Sequence, residues 1–425
     1  MKSGKFALLA VGIVSMCAEL EARADPVPGD VFREYMWYNK DGDAGQALRV
    51  GGKHGQEHPD RGWAHNYINA PVRLEHDLDL QWAVKAEIVI EKILCHDGTR
   101  GLAIQVNGRD WLEVPEAKTI PYPQWDYQHH IYPVVAIPLS HLQQGGGNEF
   151  RMRVSPEHPW KWPQNLIYGV HFRIYYDVAK KPHPTGDILT PTSGETIGRS
   201  VILTARAERP NGKIKQVDYI GFYEDVNFEG DGVYRQWHYH FFHGQIMHHI
   251  GSATVAPYRV TWDTSWVPDQ SEPVLIAARI IDDTGMTFVT KAVGGLELVR
   301  PGLSVELCKP YHVPKSWVTR KGRQQEHFDI TGDLEKAVAA QLVWVSWSPG
   351  YMNGIYINGQ KVFDNEGPKY DYFAHRITLD DMSAFKQGQN TLATGRSKPN
   401  AHGMEVNWPG IMVLIRYSDH QDTEH

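Results

Sequence analysis

Two stretches of the chain have one pattern: Gly101-Leu-Ala-Ile-Gln-Val-Asn-Gly-Arg109 and Gly354-Ile-Tyr-Ile-Asn-Gly-Gln360. Each begins with short apolar residues and then reaches Asn-Gly, a dipeptide that tight hairpin turns favour because both residues tolerate positive φ. Each stretch is therefore predicted to be a β-strand that runs into a turn.

The residues that follow these two turns also correspond. Ile137-Pro-Leu139 and Gly147-Asn-Glu-Phe150 come after the first turn, and Ile377-Thr-Leu379 and Gly388-Gln-Asn-Thr-Leu392 come after the second. A Trp-Pro pair then precedes the last predicted strand of each copy, at Trp162 and at Trp408. A shared order of signals over most of two regions indicates an internal duplication.

Other segments also read as strands, and helical patterns are scarce. Residues 85–91, 201–207 and 258–263 alternate apolar and polar side chains, and 39 Gly and 26 Pro interrupt the chain. These features predict an all-β fold built from β-sandwiches. At about 150 residues per domain, a chain of this length holds roughly three of them.

The repeated order of strand, Asn-Gly turn, Ile-x-Leu strand and Gly-x-Asn segment resembles galactose-binding-domain-like jelly rolls. Such modules are accessory domains of secreted carbohydrate-active enzymes. The middle of the chain, roughly residues 185–300, resembles the bacterial immunoglobulin-like modules of cell-surface and secreted proteins. These resemblances imply a jelly roll at residues 25–180, an immunoglobulin-like domain at 181–300 and a second jelly roll at 301–425.

The first 24 residues are predicted to be a signal peptide. Lys2 and Lys5 give a positive start, residues 6–16 are apolar, and Ala22-Arg-Ala24 is a small-x-small cleavage signal. The mature chain would then begin at Asp25 and be exported, to the periplasm or beyond the cell.

The three cysteines leave two alternatives open. Cys17 follows Met16, which is too bulky for the position before a lipidated cysteine, so simple cleavage is preferred to a lipoprotein. Cys95 and Cys308 remain in the mature chain. Export permits a disulfide between them, and two buried thiols are the alternative.

Charge and hydropathy exclude two classes of partner. Forty-three Lys and Arg against 50 Asp and Glu give a formal charge of −7, which argues against nucleic-acid binding. After residue 24 no run approaches the roughly 20 apolar residues that a membrane-spanning helix needs.

A histidine-rich insertion interrupts the middle region at residues 224–256. His238 and His240 would share one face of a single strand, and with His243 they could bind Cu or Zn. The acidic segment Asp225 to Asp231 could hold structural Ca²⁺, and a solvated turn is the preferred alternative. The alternative is that the insertion packs over a neighbouring sandwich and its histidines form hydrogen bonds. We expect the insertion to fold against a jelly roll and to shape a functional cleft, with mere packing as the alternative.

Aromatic side chains in predicted loops are the candidates for ligand binding, because a sugar ring stacks its apolar face on an aromatic ring. The last repeat carries an aromatic set that includes Trp347, Tyr351, Tyr370 and Tyr372. The residues chosen as ligand-binding candidates from both repeats are Trp63, Trp125, Trp160, Tyr351, Tyr372 and His402.

Three functions remain open from the sequence. The preferred one is recognition of an extracellular or cell-wall glycan, or of a glycan-processing protein, on a shallow aromatic face. A carbohydrate-active hydrolase or lyase would instead need a deep pocket between domains with converging carboxylates or imidazoles, and its catalytic residues are not identified. A structural spacer would have neither feature. No cofactor is required by the sequence, with Ca, Cu and Zn as the open alternatives.

Overall fold

The computed structural model describes residues 26–38, 48–51, 71–94, 100–155 and 163–419. Within these ranges the protein is all-β, as predicted, with no α-helix and no helix long and apolar enough to cross a membrane. The predicted signal peptide, Trp63, Trp160 and Cys95 lie outside the described residues. The short 3-10 helices are Gln124–Asp126, Leu139–His141, Thr319–Lys321, Leu334–Lys336 and Pro349–Tyr351.

Strands β1 to β10 form the N-terminal sandwich. One sheet contains β10 between β1 and β4, with β2, β7 and β8 alongside, and the other has the order β3-β9-β5-β6. The strands are β1 (Val31–Tyr38), β2 (Leu48–Gly51), β3 (Val72–Arg73), β4 (Ala83–Leu94), β5 (Ala103–Val106), β6 (Trp111–Glu113), β7 (His129–Ile131), β8 (Val134–Ile137), β9 (Glu149–Arg153) and β10 (Pro163–Tyr176).

Strands β11 to β22 form the middle sandwich, whose smaller sheet has the order β11-β13-β19. Its strands are β11 (Thr185–Thr190), β12 (Thr196–Ile197), β13 (Ser200–Glu208), β14 (Ile214–Glu224), β15 (Arg235–His238), β16 (His240–Phe242), β17 (Gln245–Met247), β18 (Gly251–Ala253), β19 (Val260–Asp263), β20 (Val274–Asp282), β21 (Met286–Val289) and β22 (Val293–Leu298).

Strands β23 to β32 form the C-terminal sandwich, with one sheet in the order β23-β32-β26-β31-β24, β29 beside β26, and a second in the order β25-β30-β27-β28. Its strands are β23 (Leu303–Cys308), β24 (Trp317–Val318), β25 (Gln324–Ile330), β26 (Ala337–Trp347), β27 (Ile355–Ile357), β28 (Gln360–Phe363), β29 (Tyr372–Leu379), β30 (Gly388–Thr394), β31 (Glu405–Val406) and β32 (Met412–Ser418).

The N-terminal and middle sandwiches share a sheet. Strand β1 pairs with β10 on one side and with β21 on the other, where Val31 lies opposite Phe288. The result is one sheet of 13 strands among the described residues. The sequence predicts separate sandwiches and gives no sign of this junction, because the pairing joins residues far apart in the chain.

The Asn-Gly turn of the N-terminal sandwich is fixed by side-chain hydrogen bonds. Asn107 has a φ of 49°. Its Nδ2 donates to the His141 carbonyl at 2.8 Å and to Asn148 Oδ1 at 2.8 Å. Its Oδ1 accepts from the Glu149 backbone N–H at 2.9 Å. The asparagine thus connects the turn to the strand that pairs with it.

The Asn-Gly turn of the C-terminal sandwich repeats each of these bonds. Asn358 also has a φ of 49°, and its Nδ2 donates to the Ala384 carbonyl at 2.9 Å and to Asn390 Oδ1 at 2.7 Å. Its Oδ1 accepts from the Thr391 backbone N–H at 3.1 Å. The prediction that Asn107 and Asn358 occupy equivalent turns is confirmed.

A buried ion network connects β1, β4 and β10 of the N-terminal sandwich to β20 of the middle sandwich. Arg173 lies 2.9 Å from Glu34 and 2.7 Å from Glu87, and Arg279 lies 2.7 Å from the other oxygen of Glu34. Each of these side chains is less than a tenth exposed. The hydroxyl of Tyr175 also donates to Glu87, at 2.6 Å.

Candidate functional site

Four aromatic side chains come together at one end of the C-terminal sandwich and form what we call the aromatic patch: Trp347, Tyr351, Tyr370 and His402. The Tyr351 ring centroid lies 5.4 Å from that of Tyr370 and 6.1 Å from that of His402. Trp347 lies beneath, with its ring centroid 4.8 Å from that of His402. Trp347 is buried, Tyr351 and His402 are half-buried, and Tyr370 is 45% exposed. The patch therefore presents aromatic surface to solvent.

Tight turns hold the patch in place. Strand β26 ends at Trp347, and Ser348, with a φ of 57°, leads directly into the 3-10 helix Pro349–Tyr351. The Ser348 hydroxyl accepts a hydrogen bond from the Tyr370 backbone N–H at 2.8 Å. The Ser397 hydroxyl donates to the Tyr351 carbonyl at 2.9 Å. The three loops that carry the patch are therefore bonded to one another, and its geometry is set before any ligand arrives.

Polar and cationic groups border the patch. Lys369 Nζ lies 5.2 Å from the centre of the Tyr351 ring. Arg320 donates from Nη1 to the His402 carbonyl at 3.1 Å and to Glu405 Oε1 at 2.9 Å. Aromatic surface beside hydrogen-bonding groups is suited to a sugar ring, whose C–H face stacks while its hydroxyls find polar partners.

The sequence identifies half of this patch. Tyr351 and His402 are predicted ligand-binding residues, and the structure brings them together. Tyr370 and Trp347 belong to the predicted aromatic set but were not chosen as ligand-binding residues. The signal for Tyr370 is its place in the loop before β29, the same criterion that selects Tyr351.

The prediction that Tyr372 binds ligand needs correction. Its side chain is 2% exposed, and its hydroxyl donates to the buried carboxyl of Glu91 in the N-terminal sandwich. Its ring packs against Tyr168 and Phe242, with centroids at 4.7 and 4.6 Å. A ring covered on these sides cannot stack on a ligand from solvent.

Trp125 lies in a second, smaller aromatic surface on the N-terminal sandwich. Its ring meets that of Tyr122 edge-on at 5.5 Å, and Tyr122 is 81% exposed. The Arg100 guanidinium lies 4.0 Å from the centre of the Trp125 ring. The Arg100 guanidinium therefore occupies one face of the Trp125 ring.

The insertion packs against both flanking sandwiches, whereas the sequence predicts packing against one of them. The Tyr132 hydroxyl of the N-terminal sandwich donates to the Phe241 carbonyl at 2.8 Å. Phe228 belongs to an apolar cluster with Val343 and Met412 of the C-terminal sandwich. That the insertion shapes a functional cleft remains a prediction.

The histidines of the insertion do not share one strand. Strand β15 ends at His238, whereas β16 begins at His240 and pairs with β17, so the prediction of a single strand is wrong. His238 Nε2 is 2.8 Å from the Tyr223 carbonyl, and its Nδ1 is 3.7 Å from Glu229 Oε1. Burial lowers the pKa of His238, but the hydrogen bond and charge of Glu229 outweigh it and raise this pKa overall.

His240 and His243 also have neighbours within the fold. The His240 ring lies against Tyr132 and His248, at 5.2 and 4.6 Å between centroids, and His243 lies 3.8 Å from Asp371. In the ranges that the structure describes, no three His, Cys, Asp or Glu side chains are grouped to hold a metal ion. Binding of Cu or Zn by these histidines, or of Ca by the Asp225 segment, remains a prediction.

A cleft of about 580 Å³ lies between the middle and C-terminal sandwiches. Two of its carboxylates form ion pairs: Glu224 with Lys309 at 2.7 Å and Asp269 with Arg300. Burial alone would raise the pKa of Glu306, but hydrogen bonds from Thr331 and from the hydroxyl of Tyr417 hold it below its usual value. Glu306 is thus kept ionised, the opposite of what a general acid requires.

One family model matches the chain. Residues 184–274, within the middle sandwich, match the model described as a bacterial Ig domain. The middle domain is immunoglobulin-like. This immunoglobulin-like domain includes the insertion and shares its larger sheet with the N-terminal sandwich. The assignment of the flanking sandwiches to galactose-binding-like jelly rolls, and the domain boundaries, remain predictions. No curated protein sequence matches the chain.

Several solved structures resemble the chain at low identity. Fibronectin(III)-like modules of Clostridium thermocellum CbhA are 20% identical, with a TM-score of 0.18 over 27% of this chain and all of theirs. A β-porphyranase of glycoside hydrolase family 86 from the human gut bacterium Bacteroides plebeius is 10% identical, with a TM-score of 0.22. That match covers 56% of this chain and 37% of the porphyranase, so this chain spans about a third of that length.

The ANX1 ectodomain from Arabidopsis thaliana is 9% identical, with a TM-score of 0.18 over 91% of this chain and 97% of that one. At such identities and TM-scores these likenesses do not indicate what this chain binds. Its function has to be argued from its own surface.

Proposed function

We propose that this protein is an exported carbohydrate-binding protein and that its aromatic patch stacks on an extracellular or cell-wall glycan. The patch supports this proposal because Tyr351, Tyr370 and His402 form partly exposed aromatic surface on turns that hydrogen bonds fix. Glycan binding by aromatic platforms needs this combination of flat surface and fixed position. Export rests on the sequence of residues 1–24.

The inter-domain cleft is the place where the alternative, a hydrolase or lyase, would act. Its Glu306 is held ionised by hydroxyl and backbone donors, and its Glu224 forms an ion pair with Lys309. General acid catalysis of glycoside cleavage needs a carboxylic acid that retains its proton. Glu306 does not meet this need, which supports binding over hydrolysis at this cleft.

A glycan-array screen with single substitutions tests the proposal. Tyr370→Ala removes the most exposed ring of the patch and should weaken binding of the best glycan by about tenfold. Trp82→Ala is the matched control, since Trp82 is 40% exposed and has Lys181 Nζ 5.8 Å from its ring, but lies in the N-terminal sandwich.

The expected outcome is binding that Tyr370→Ala reduces and Trp82→Ala preserves. If both variants retain binding, the glycan site lies elsewhere on the protein. Product release from any of the arrayed glycans by the wild-type protein would favour the hydrolase or lyase.

A further inference from the structure

Three cations lie on the segments that carry the aromatic patch. Lys369 directly precedes Tyr370, and its Nζ is 5.2 Å from the Tyr351 ring centre. Arg396 and Lys398 flank Ser397, the residue whose hydroxyl bonds to the Tyr351 carbonyl. All three cationic side chains are exposed. The segments that fix the rings therefore also carry three exposed cations, one of which lies over a ring of the patch.

None of these three cations is neutralised by an ion pair with another described residue, whereas nearby carboxylates are already engaged. Asp364 pairs with Lys361, and Glu405 is buried and pairs with Arg320. Asp371, which follows Tyr370, is also engaged, because it is buried and lies 3.8 Å from His243.

The exposed carboxylate that remains in the same loop is Glu366, three residues before Lys369. Three cations against this one carboxylate leave a local surplus of two positive charges, in a chain whose overall formal charge is −7. The segments that carry the patch therefore have a net positive charge in a chain that is acidic overall.

We propose that the glycan is anionic, a polysaccharide that carries carboxylate or sulfate groups. The inference rests on the proposed function, because it assigns the ligand class of the same patch. Arg offers a planar fork of donors that matches both groups, and Lys contributes a point charge. The rings supply stacking that any sugar accepts, and the cations select against neutral sugars.

The test uses two pairs of polymers that differ in charge alone: polygalacturonate with its methyl ester, and dextran sulfate with dextran. Affinity electrophoresis or calorimetry measures binding to each. We expect binding to at least one charged polymer, weaker binding to its neutral partner by about tenfold, and weakening between about 50 and 300 mM NaCl. The polygalacturonate pair reports on carboxylate and the dextran pair on sulfate.

A triple variant assigns the effect to the patch. Lys369→Gln, Arg396→Gln and Lys398→Gln together should reduce binding of the charged polymer by about tenfold, because exposed ion pairs are individually weak. The matched control replaces Lys213, Lys215 and Lys291 of the immunoglobulin-like domain with Gln, which changes the net charge equally. Those three lysines are also exposed. The control should bind as the wild type does.

The outcomes separate this inference from the proposed function. Equal binding of charged and neutral polymers, lost in Tyr370→Ala, would overturn the anionic preference and leave glycan binding at the patch intact. Binding of a charged polymer that survives the triple variant would also overturn it. Binding to none of the four polymers, with a neutral glycan bound on the array, would overturn it as well.

Discussion

The two copies of the repeat differ in whether the face turned toward the insertion buries charged side chains. In the N-terminal sandwich this face, on β4 and β10, carries the buried charged side chains of Glu87 and Arg173 beside apolar residues such as Ile93 and Leu166. In the C-terminal sandwich the corresponding face, on β26 and β32, carries Val343 and Leu414 with other apolar residues. One insertion covers both faces, with Phe241 against the first and Phe228 against the second.

The two faces hold the sandwiches together in different ways. The stabilising free energy of an apolar contact is roughly proportional to the area buried, and such a contact tolerates small shifts of the packed elements. A buried ion network is stable only when every charge has its partner. We therefore expect the charged face to fix the relative position of the sandwiches and the apolar face to contribute adhesion.

The largest expected effect is at the charged face. Arg173→Met leaves Glu34 and Glu87 without the guanidinium that lies 2.9 and 2.7 Å from them. The free energy of unfolding should fall by about 3–5 kcal/mol in urea denaturation. Lys85→Met is the control, because Lys85 also pairs with Glu87 but is 53% exposed, and it should cost less than about 1 kcal/mol. Similar losses in the two variants would contradict the account.

A substitution on the apolar face should lower the free energy of unfolding somewhat less than one on the charged face. Leu414 is fully buried among the residues that join the C-terminal sandwich to the insertion. Leu414→Ala should lower the free energy of unfolding by about 2–4 kcal/mol, through lost burial and the cavity that remains. Val338→Ala, at a position 37% exposed, should change it by less than about 1 kcal/mol in the same titration. A Leu414→Ala loss no larger than the Val338→Ala loss would argue against a packed junction.

The third effect depends on pH. Burial raises the pKa of Glu91 to about 8, although the Tyr372 hydroxyl donates to it, against 4.5 in the unfolded chain. Between these values the folded state holds a proton that the unfolded state lacks, so the contribution of Glu91 to stability falls as pH rises. The free energy of unfolding of the wild type should fall by about 2–3 kcal/mol relative to that of Glu91→Gln between about pH 6 and pH 8.

Urea denaturation of both proteins at the two pH values measures this difference. A gap between wild type and Glu91→Gln that is the same at both pH values would mean that Glu91 is ionised in the folded protein.

The smallest effect tests the likeness of the copies. Asn107→Ala and Asn358→Ala each remove a donor from a buried amide oxygen, that of Asn148 or Asn390. Each should cost about 1–3 kcal/mol, and because the bonds match, the two costs should agree to within about 0.5 kcal/mol. The comparison is made by chemical denaturation of both variants side by side. Costs that differ severalfold would show that the two turns are not energetically equivalent.

The features that sequence predicts correctly depend on local chemistry. Asn107 and Asn358 can be placed because Asn-Gly suits positive φ and the partner asparagines recur at a fixed order. Tyr351 and His402 can be named because they lie beside Pro and Gly in loops. That they meet depends on the turn at Ser348 and on the bond from Ser397, which no local pattern indicates.

The incorrect predictions concern segments whose contacts are made with strands distant in the sequence. His238 and His240 are spaced as they would be on one strand. However, β15 pairs with β14 and ends at His238, whereas β16 begins at His240 and pairs with β17. Tyr372 follows the pattern of a loop aromatic, yet the N-terminal sandwich covers it. Neither competing partner is visible in the local sequence.

A crystal structure of the protein with an oligosaccharide chosen from the glycan array tests the central claim most directly. The account predicts a sugar ring stacked on Tyr351 or Tyr370, with an acidic substituent toward Lys369, Arg396 or Lys398. A sugar bound in the cleft beside Glu306, with the aromatic patch unoccupied, would contradict it.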